Sequence, residues 1–229
     1  MSSLRKCLAL ACTLSGGSAL TMRPVIRSGL SVGRPLRMMC AEAPAPAAKK
    51  EPAAEVEEVP PFALLDVRVG KIVEAWAHPE SEKLWCERID VGEVDDEGNC
   101  APREIASGLR AHYPTADLLE GRSVLVVCNL KEAKLAGFKS NGMVLCASSE
   151  DKSEVKFVDP PADSQPGERV VCEGMVADPA TPNQMKKKKL MDKAAAELRA
   201  VDGVACFRNV PLGTAAGQCT TPVTAGTIN

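Results

Sequence analysis

LDVRVGKIVEAW, residues 65–76, alternates Val67, Val69 and the Ile72–Val73 pair with polar neighbours on either side of Gly70. That two-residue period belongs to a strand with one face buried and one wet, and the glycine marks a position where such a strand can bend. Further short runs follow: WCERIDVG (85–92), REIAS (103–107), RSVLVVCNL (122–130), GMVLCAS (142–148), EVKFVD (154–159) and ERVVCEG (168–174). Clusters of Gly, Pro, Asn and Asp separate them, and strands spaced in this way without intervening helices predict an antiparallel barrel or sandwich. A helical period occurs only in KKKKLMDKAAAELRAV (186–201), where Leu190, Ala194, Leu198 and Val201 are spaced to share a face. The chain has no internal repeat.

Composition narrows the function. Of 229 residues, 45% are hydrophobic but only 3% aromatic, so the core must be aliphatic and any base-stacking surface small. The formal net charge of -2 supplies no overall attraction to nucleic acid or anionic membrane, which moves the question to local charge. Residues 1–41 carry Arg5, Lys6, Arg23, Arg27, Arg34 and Arg37 and no acid. Arg5-Lys6, the apolar run CLALACTL and the small residues SGGSA follow the plan of a secretory signal, and the Arg-, Ser- and Gly-rich segment after them has the composition of an organelle transit peptide. Together they predict the bipartite presequence of a plastid bounded by extra membranes, with mitochondrion and cytoplasm as alternatives. The apolar run is far shorter than the roughly 20 residues a bilayer demands, so no membrane contact is expected of the mature protein. Residues 42–61, EAPAPAAKKEPAAEVEEVPP, read as a disordered Ala/Pro/Glu linker. The remainder, 62–229, holds 20 basic and 25 acidic residues, so a basic surface there must be a local one.

Chemistry-bearing motifs are scarce. No two of the ten cysteines stand in a C-x-x-C spacing, and with only His78 and His112 to assist them no metal site or cofactor is expected. Several lie in apolar runs and are expected to be buried, reduced thiols. Ser107 in ASGL lacks the flanking glycines of a nucleophile elbow, and no phosphate-binding glycine loop occurs. His78 before Pro79 reads as a turn residue, Trp85 and Met143 as core, and catalysis is not expected.

Lysine is the exception. In NLKEAKLAGFKSNGM (129–143), Lys131, Lys134 and Lys139 fall between the two most apolar strands, in a connection that projects from a barrel end. Asn141-Gly142 suits a turn, and Ser140 and Asn141 can donate to an anion. Lys186, Lys187, Lys188 and Lys189 stand at or just before the start of the expected helix. There the dipole disfavours cations by roughly 0.3–1 kcal/mol each, so four of them point to an anionic partner. Both clusters on one polyanion amount to roughly four or five phosphate contacts, which bind and orient without reading sequence.

LDVRVGKIVEAWAHPESEKLW, SGL, NLKEAKLAGFKSNGMVLCAS, VDPP and PGERV, followed by NQMKKKKL and VACFRNVPL, resemble in content and order the EMAP-II-like transfer-RNA-binding domain. That domain is an OB-type barrel, free-standing or appended to methionyl- and tyrosyl-tRNA synthetases. The resemblance covers 62–229. It implies an all-β-dominated fold: an OB-type five-stranded barrel over 62–175, and over 176–229 an extension of one helix and short strands packed on it. It also implies structure-directed tRNA binding without catalysis, a synthetase as partner, and a monomer, because the extension occupies the surface through which shorter bacterial members pair. By matching position the implied tRNA contacts are Asn129, Lys131, Lys134, Lys139, Ser140 and Asn141, with Lys71 and Lys83 as further candidates. Glu132 replaces a common Pro and Leu135-Ala136 a common Met-Arg, which adds an anion and removes a cation. Two other classes stay open: a peptide-binding chaperone, which needs an exposed apolar patch, and a synthetase-docking scaffold that does not touch RNA.

Overall fold

The computed structural model describes residues 59–229; the presequence and the linker up to residue 58 lie outside the described residues. A 3-10 turn at Pro61–Leu64 buries Phe62 and Ala63 and opens the domain. The first sheet comprises β1 (Val67–Ala77), β2 (Trp85–Asp90), β3 (Arg103–Ser107) and β4 (Ser123–Val127). After the hairpin of β5 (Ala133–Leu135) and β6 (Phe138–Ser140) comes β7 (Met143–Val144), which gives the antiparallel order β3-β2-β1-β4-β7. The ends of that sheet approach each other: the Asn141 N–H donates to the Glu104 carbonyl at 2.9 Å, and Ser140 Oγ accepts from the Ala106 N–H at 3.1 Å. The result is a nearly closed five-stranded barrel. Its interior is filled by Ile72, Ile89, Ile105, Val124 and Val126, each fully buried, and each is worth roughly 1.5–3 kcal/mol in removal from water.

The alternation in residues 65–76 does form a strand, but the bend is not at Gly70. Pairing with β2 shifts register between Ile72 and Glu74, so Val73, 57% exposed, is the extra residue of a bulge. Gly70 serves close packing instead: a Cβ there would sit 2.6 Å from Ile89 Cγ2.

Beyond Leu145 the chain crosses into a second sheet. β8 (Cys146–Ser149), β9 (Val155–Phe157) and β10 (Val171–Cys172) join β11 (Leu198–Val201), β12 (Val204–Phe207), β13 (Val210–Thr214), β14 (Gly217–Gln218) and β15 (Ala225–Ile228). Their order is β10-β13-β12-β11-β15-β8-β9, with β14 on β13. A division at 175/176 therefore cuts through a shared sheet. One core cluster spans both sides of it, with Val67, Val69 and Leu125 of the barrel packed together with Leu190, Leu198 and Phe207 of the extension, and Phe62 stacks on Phe207 at 5.5 Å.

The helical reading of 186–201 is corrected in two ways. Helix α1 spans Pro182–Lys188, Lys189 adopts a left-handed conformation (φ 50), and α2 spans Leu190–Ala195. The overlooked start signal is Thr181-Pro-Asn-Gln184, a capping box with proline in the first turn. Leu198–Val201 is strand: Leu198 and Ala200 are buried and their neighbours exposed, and the left-handed turn at Asp202-Gly203 returns the chain into β12. Leu190 and Ala194 do share a buried face. Among the described residues no helix is long and apolar enough to cross a membrane.

Candidate nucleic-acid interface

The connection between β4 and β7 is a hairpin. Its turn is Ala136-Gly137, both with positive φ (46 and 88), the two-residue geometry that matches strand twist. Asn141-Gly142 is therefore not the turn; Gly142 is a point of close approach, where a Cβ would meet Ile105 Cδ1 and the Val127 carbonyl at 3.0 Å. Lys134 and Lys139 lie directly opposite each other in the β5–β6 pair, so both ammonium groups project from one face. Like charges in that arrangement destabilise a ladder. Lys139 has a partial partner in Glu132, 3.7 Å away, but both side chains are largely exposed and the pair contributes about 0–1 kcal/mol. The other face is anchored: Phe138 meets Trp76 edge to face at 6.0 Å and the His78 ring at 6.2 Å.

Two predicted contacts belong to the frame, not to the surface. Asn129 is 8% exposed and its amide is fully engaged: Oδ1 accepts from the Asp66 N–H at 3.0 Å, and Nδ2 donates to the carbonyls of Leu64 (3.0 Å) and Ala180 (2.9 Å). Ser140 is buried, its hydroxyl accepting from Ala106 N–H and donating to the Gly142 carbonyl. Both side chains are thus spent on the frame that carries the hairpin. Asn141 is half-exposed; its backbone is held on both sides, by Glu104 and by Arg103.

Arg103 was missed in the sequence. Its guanidinium donates to the carbonyls of Cys128 (2.6 Å) and Asn141 (3.0 Å), the two ends of the hairpin insertion, while Nε donates to Glu93 at 2.7 Å. The Arg103 hydrogen bond holds the Glu93 carboxyl below the usual carboxylate range, with Arg68 assisting. An arginine at the head of an apolar strand carries no local sign that it will clasp a loop 25 to 38 residues later.

The two lysine clusters meet. A groove of about 540 Å³ runs between the hairpin base and the α1–α2 elbow, with Lys131 on one side and Lys186 and Lys189 on the other. Leu130, Met185 and Met191 line it between them, and Glu132 and Asp192 bring carboxylates to the same groove. The elbow overturns one premise, however. Lys186, Lys187 and Lys188 occupy the last turn of α1, not the first turn of a helix. Cations are favoured there, so these three lysines need no partner to be comfortable; only the convergence of Lys186 and Lys189 with Lys131 points to an anion. Lys187 and Lys188 are exposed outside the groove, as are Lys71 on β1 and Lys83 in the β1–β2 loop.

The remaining polar and aromatic residues fall largely as expected. Trp85 is core, its indole N–H donating to the Tyr113 carbonyl at 2.8 Å; Met143 packs partly buried against the core. His78 accepts the Glu80 N–H at 3.0 Å as a turn residue. The Ser107 hydroxyl donates to Glu87, a fully buried carboxyl that burial pushes up to about 7 against that hydrogen bond. Among the described residues six cysteines are buried free thiols and Cys100 is exposed; burial pushes the Cys146 and Cys219 thiols up to about 12. Trp76, half-buried on the outer face of β1, went unremarked in the sequence.

A nearly closed OB-type barrel, sealed by a C-terminal sheet and two short helices and carrying a lysine-bearing hairpin over a groove, defines a binding barrel. Residues 67–169 match the family model described as "Putative tRNA binding domain". The chain is 41% identical over 158 residues to a probable methionine–tRNA ligase of Oryza sativa, covering 69% of this chain and 19% of the relative. It is 42% identical over 147 residues to the cytoplasmic tyrosine–tRNA ligase of Xenopus laevis, covering 64% and 26%. The match thus spans about a fifth to a quarter of these relatives. The crystal structure of the C-terminal domain of Plasmodium vivax p43 superposes with a TM-score of 0.66 at 34% identity, over 73% of this chain and 98% of that one. The chain belongs to this family of tRNA-binding domains.

Proposed function

We propose that the protein binds folded tRNA by its phosphate backbone, between the β5–β6 hairpin and the α1–α2 elbow, and presents it to an aminoacyl-tRNA synthetase without catalysing a reaction itself. The observation that carries this reading is the shared groove, which brings Lys131 together with Lys186 and Lys189 from a segment more than fifty residues away. Lys134 and Lys139 extend the positive surface along the hairpin. Contacts of this kind hold structured RNA by shape and charge, since its base edges are largely inaccessible. Glu132 and Asp192 lower the affinity by repelling the same phosphates.

The remaining parts of the proposal rest on other features. Monomeric behaviour is supported by the shared core and sheet of barrel and extension, and a plastid destination by the composition of residues 1–41. Exposed large apolar side chains, which a chaperone would gather into a patch, come from separate segments of the described residues: Val59, Val73 on β1, Val94, Leu118, Leu135 on the hairpin, Val176, and Val201 on β11. The test is a salt titration of tRNA binding. Roughly four phosphate contacts predict about a hundredfold loss of affinity between 50 and 200 mM salt. Salt-independent binding, or saturable binding to unfolded polypeptide with none to tRNA, contradicts the proposal.

A further inference from the structure

Trp76 is an unusual residue to find on the outside of this barrel. The chain has two tryptophans, four phenylalanines and one tyrosine; Trp85, Tyr113, Phe62, Phe157 and Phe207 are all buried. The two aromatic side chains left half-exposed, Trp76 and Phe138, touch each other edge to face at 6.0 Å. They come from different elements, the end of β1 and the hairpin, so the contact is long-range. Phe138 immediately precedes Lys139, which faces Lys134 across the hairpin. The Arg88 guanidinium lies over the Trp76 ring, 6.0 Å from its centre, held there by Glu74 (3.2 Å) and Glu104 (3.8 Å), all of them about half exposed.

We propose that Trp76, braced edge to face by Phe138, is a platform on which one unpaired nucleobase of the bound RNA stacks, beside the phosphates held by Lys134 and Lys139. This rests on the reading of the chain as an RNA-binding protein and adds a specificity for RNA that combines a folded body with an unpaired nucleotide. An indole offers a π-face to any base, so the platform selects unpaired over paired nucleotides and not one base over another. Arg88 contributes a cation that attracts the exposed ring and lies close to where the stacked base enters. The lysines neutralise the adjoining phosphates, so stacking and charge act on the same nucleotide.

The experiment compares two RNAs with equal phosphate number on the full chain: a duplex with a three-nucleotide unpaired tail, and the same duplex whose tail lacks bases. The tail with bases is expected to bind roughly tenfold tighter and to quench tryptophan fluorescence. Trp76→Leu keeps the apolar contact with Phe138 and should abolish both the tenfold advantage and the quench, while binding the base-less RNA like the parent protein. Equal binding of both RNAs, or a tenfold advantage that survives Trp76→Leu, overturns the platform and leaves lysine-dependent RNA binding standing. If neither RNA binds at 50 mM salt, the RNA-binding reading fails and the platform with it.

Discussion

The hairpin between β4 and β7 and the elbow between α1 and α2 each present exposed lysines to one groove, but they hold them in opposite ways. On the hairpin, Lys134 and Lys139 are set against each other across a two-stranded ladder, an arrangement that costs folding free energy and is relieved by an anion. At the elbow, Lys186, Lys187 and Lys188 close a helix whose C-terminal carbonyls welcome them. The frames differ as well. Polar residues that look inward, Asn129, Ser140 and Arg103, fix the hairpin, whereas the elbow is seated by buried Met185 and Leu190. The lesson is that a cluster of cations is informative about a partner only when its position in the backbone is known: the same residue type is a cost in one place and a fit in the other.

The sharpest way to break the comparison is at the residue that joins the two regions. Asn129 bonds both to Leu64 and to Ala180, the residue two positions before α1 begins. Asn129→Ala takes the side-chain partner from the buried Asp66 N–H and from the Ala180 carbonyl, while the Leu64 carbonyl keeps the Ala180 N–H, and should lower stability by about 2 kcal/mol in denaturant unfolding. A loss below about 0.5 kcal/mol would return Asn129 to the surface and to the list of contacts.

A probe away from both regions comes next. Glu87 is fully buried on β2 and its carboxyl is raised to about 7, chiefly by burial. Its folded value lies above the unfolded one, so the folded state binds the extra proton and stability falls as pH rises from the ordinary carboxylate range through about 7. The fall should amount to roughly 3 kcal/mol and be absent in Glu87→Gln, while the relative affinities of the two lysine clusters stay as they are. A parent protein whose unfolding free energy is flat between pH 5 and 7 would contradict this.

Arg103 affects only one region. Arg103→Met frees the Cys128 and Asn141 carbonyls and strips Glu93 of its main partner, for a loss of about 2 kcal/mol. Because the hairpin base is loosened, tRNA affinity should fall too, although the Arg103 guanidinium is committed to protein partners. Unchanged affinity in a destabilised variant would show that the hairpin keeps its place without the clasp.

The smallest effects have opposite signs. Lys134→Gln removes half of the like-charge pair and should raise stability by a few tenths of a kcal/mol, roughly 0.3. Lys188→Gln removes a cation from a helix C-terminus and should lower stability by about as much. Both changes measured by thermal unfolding at low salt sharpen the comparison; equal signs would erase it.

How much of this was legible beforehand varies with the range of the interactions. The alternation in residues 65–76 and in the later apolar runs located the barrel strands, because a two-residue period is a local property. Ala136-Gly137 was passed over as a turn because the more familiar Asn141-Gly142 lay nearby; the glycine with positive φ was the one that mattered. Leu198 and Val201, three apart, fit a helical face, but the β-partners Phe207 and Val204 make the segment a strand in which Leu198 points in and Val201 out. Asn129 and Ser140 could not be recognised as framework, because their partners lie 63 and 34 residues away. Lysines were read correctly as exposed, yet the helix end they occupy depended on a capping box that begins five residues upstream of where the helix was expected to begin.

The salt dependence of tRNA binding in paired variants tests most directly whether the two regions grip one RNA. With roughly four contacts the parent protein should lose affinity with a log–log slope near −3.6, and Lys186→Ala combined with Lys189→Ala should reduce that slope by about 1.8, as should Lys131→Ala combined with Lys134→Ala. A slope that drops for the hairpin pair and keeps its parent value for the elbow pair would mean that the groove is shared by side chains alone and not by the RNA.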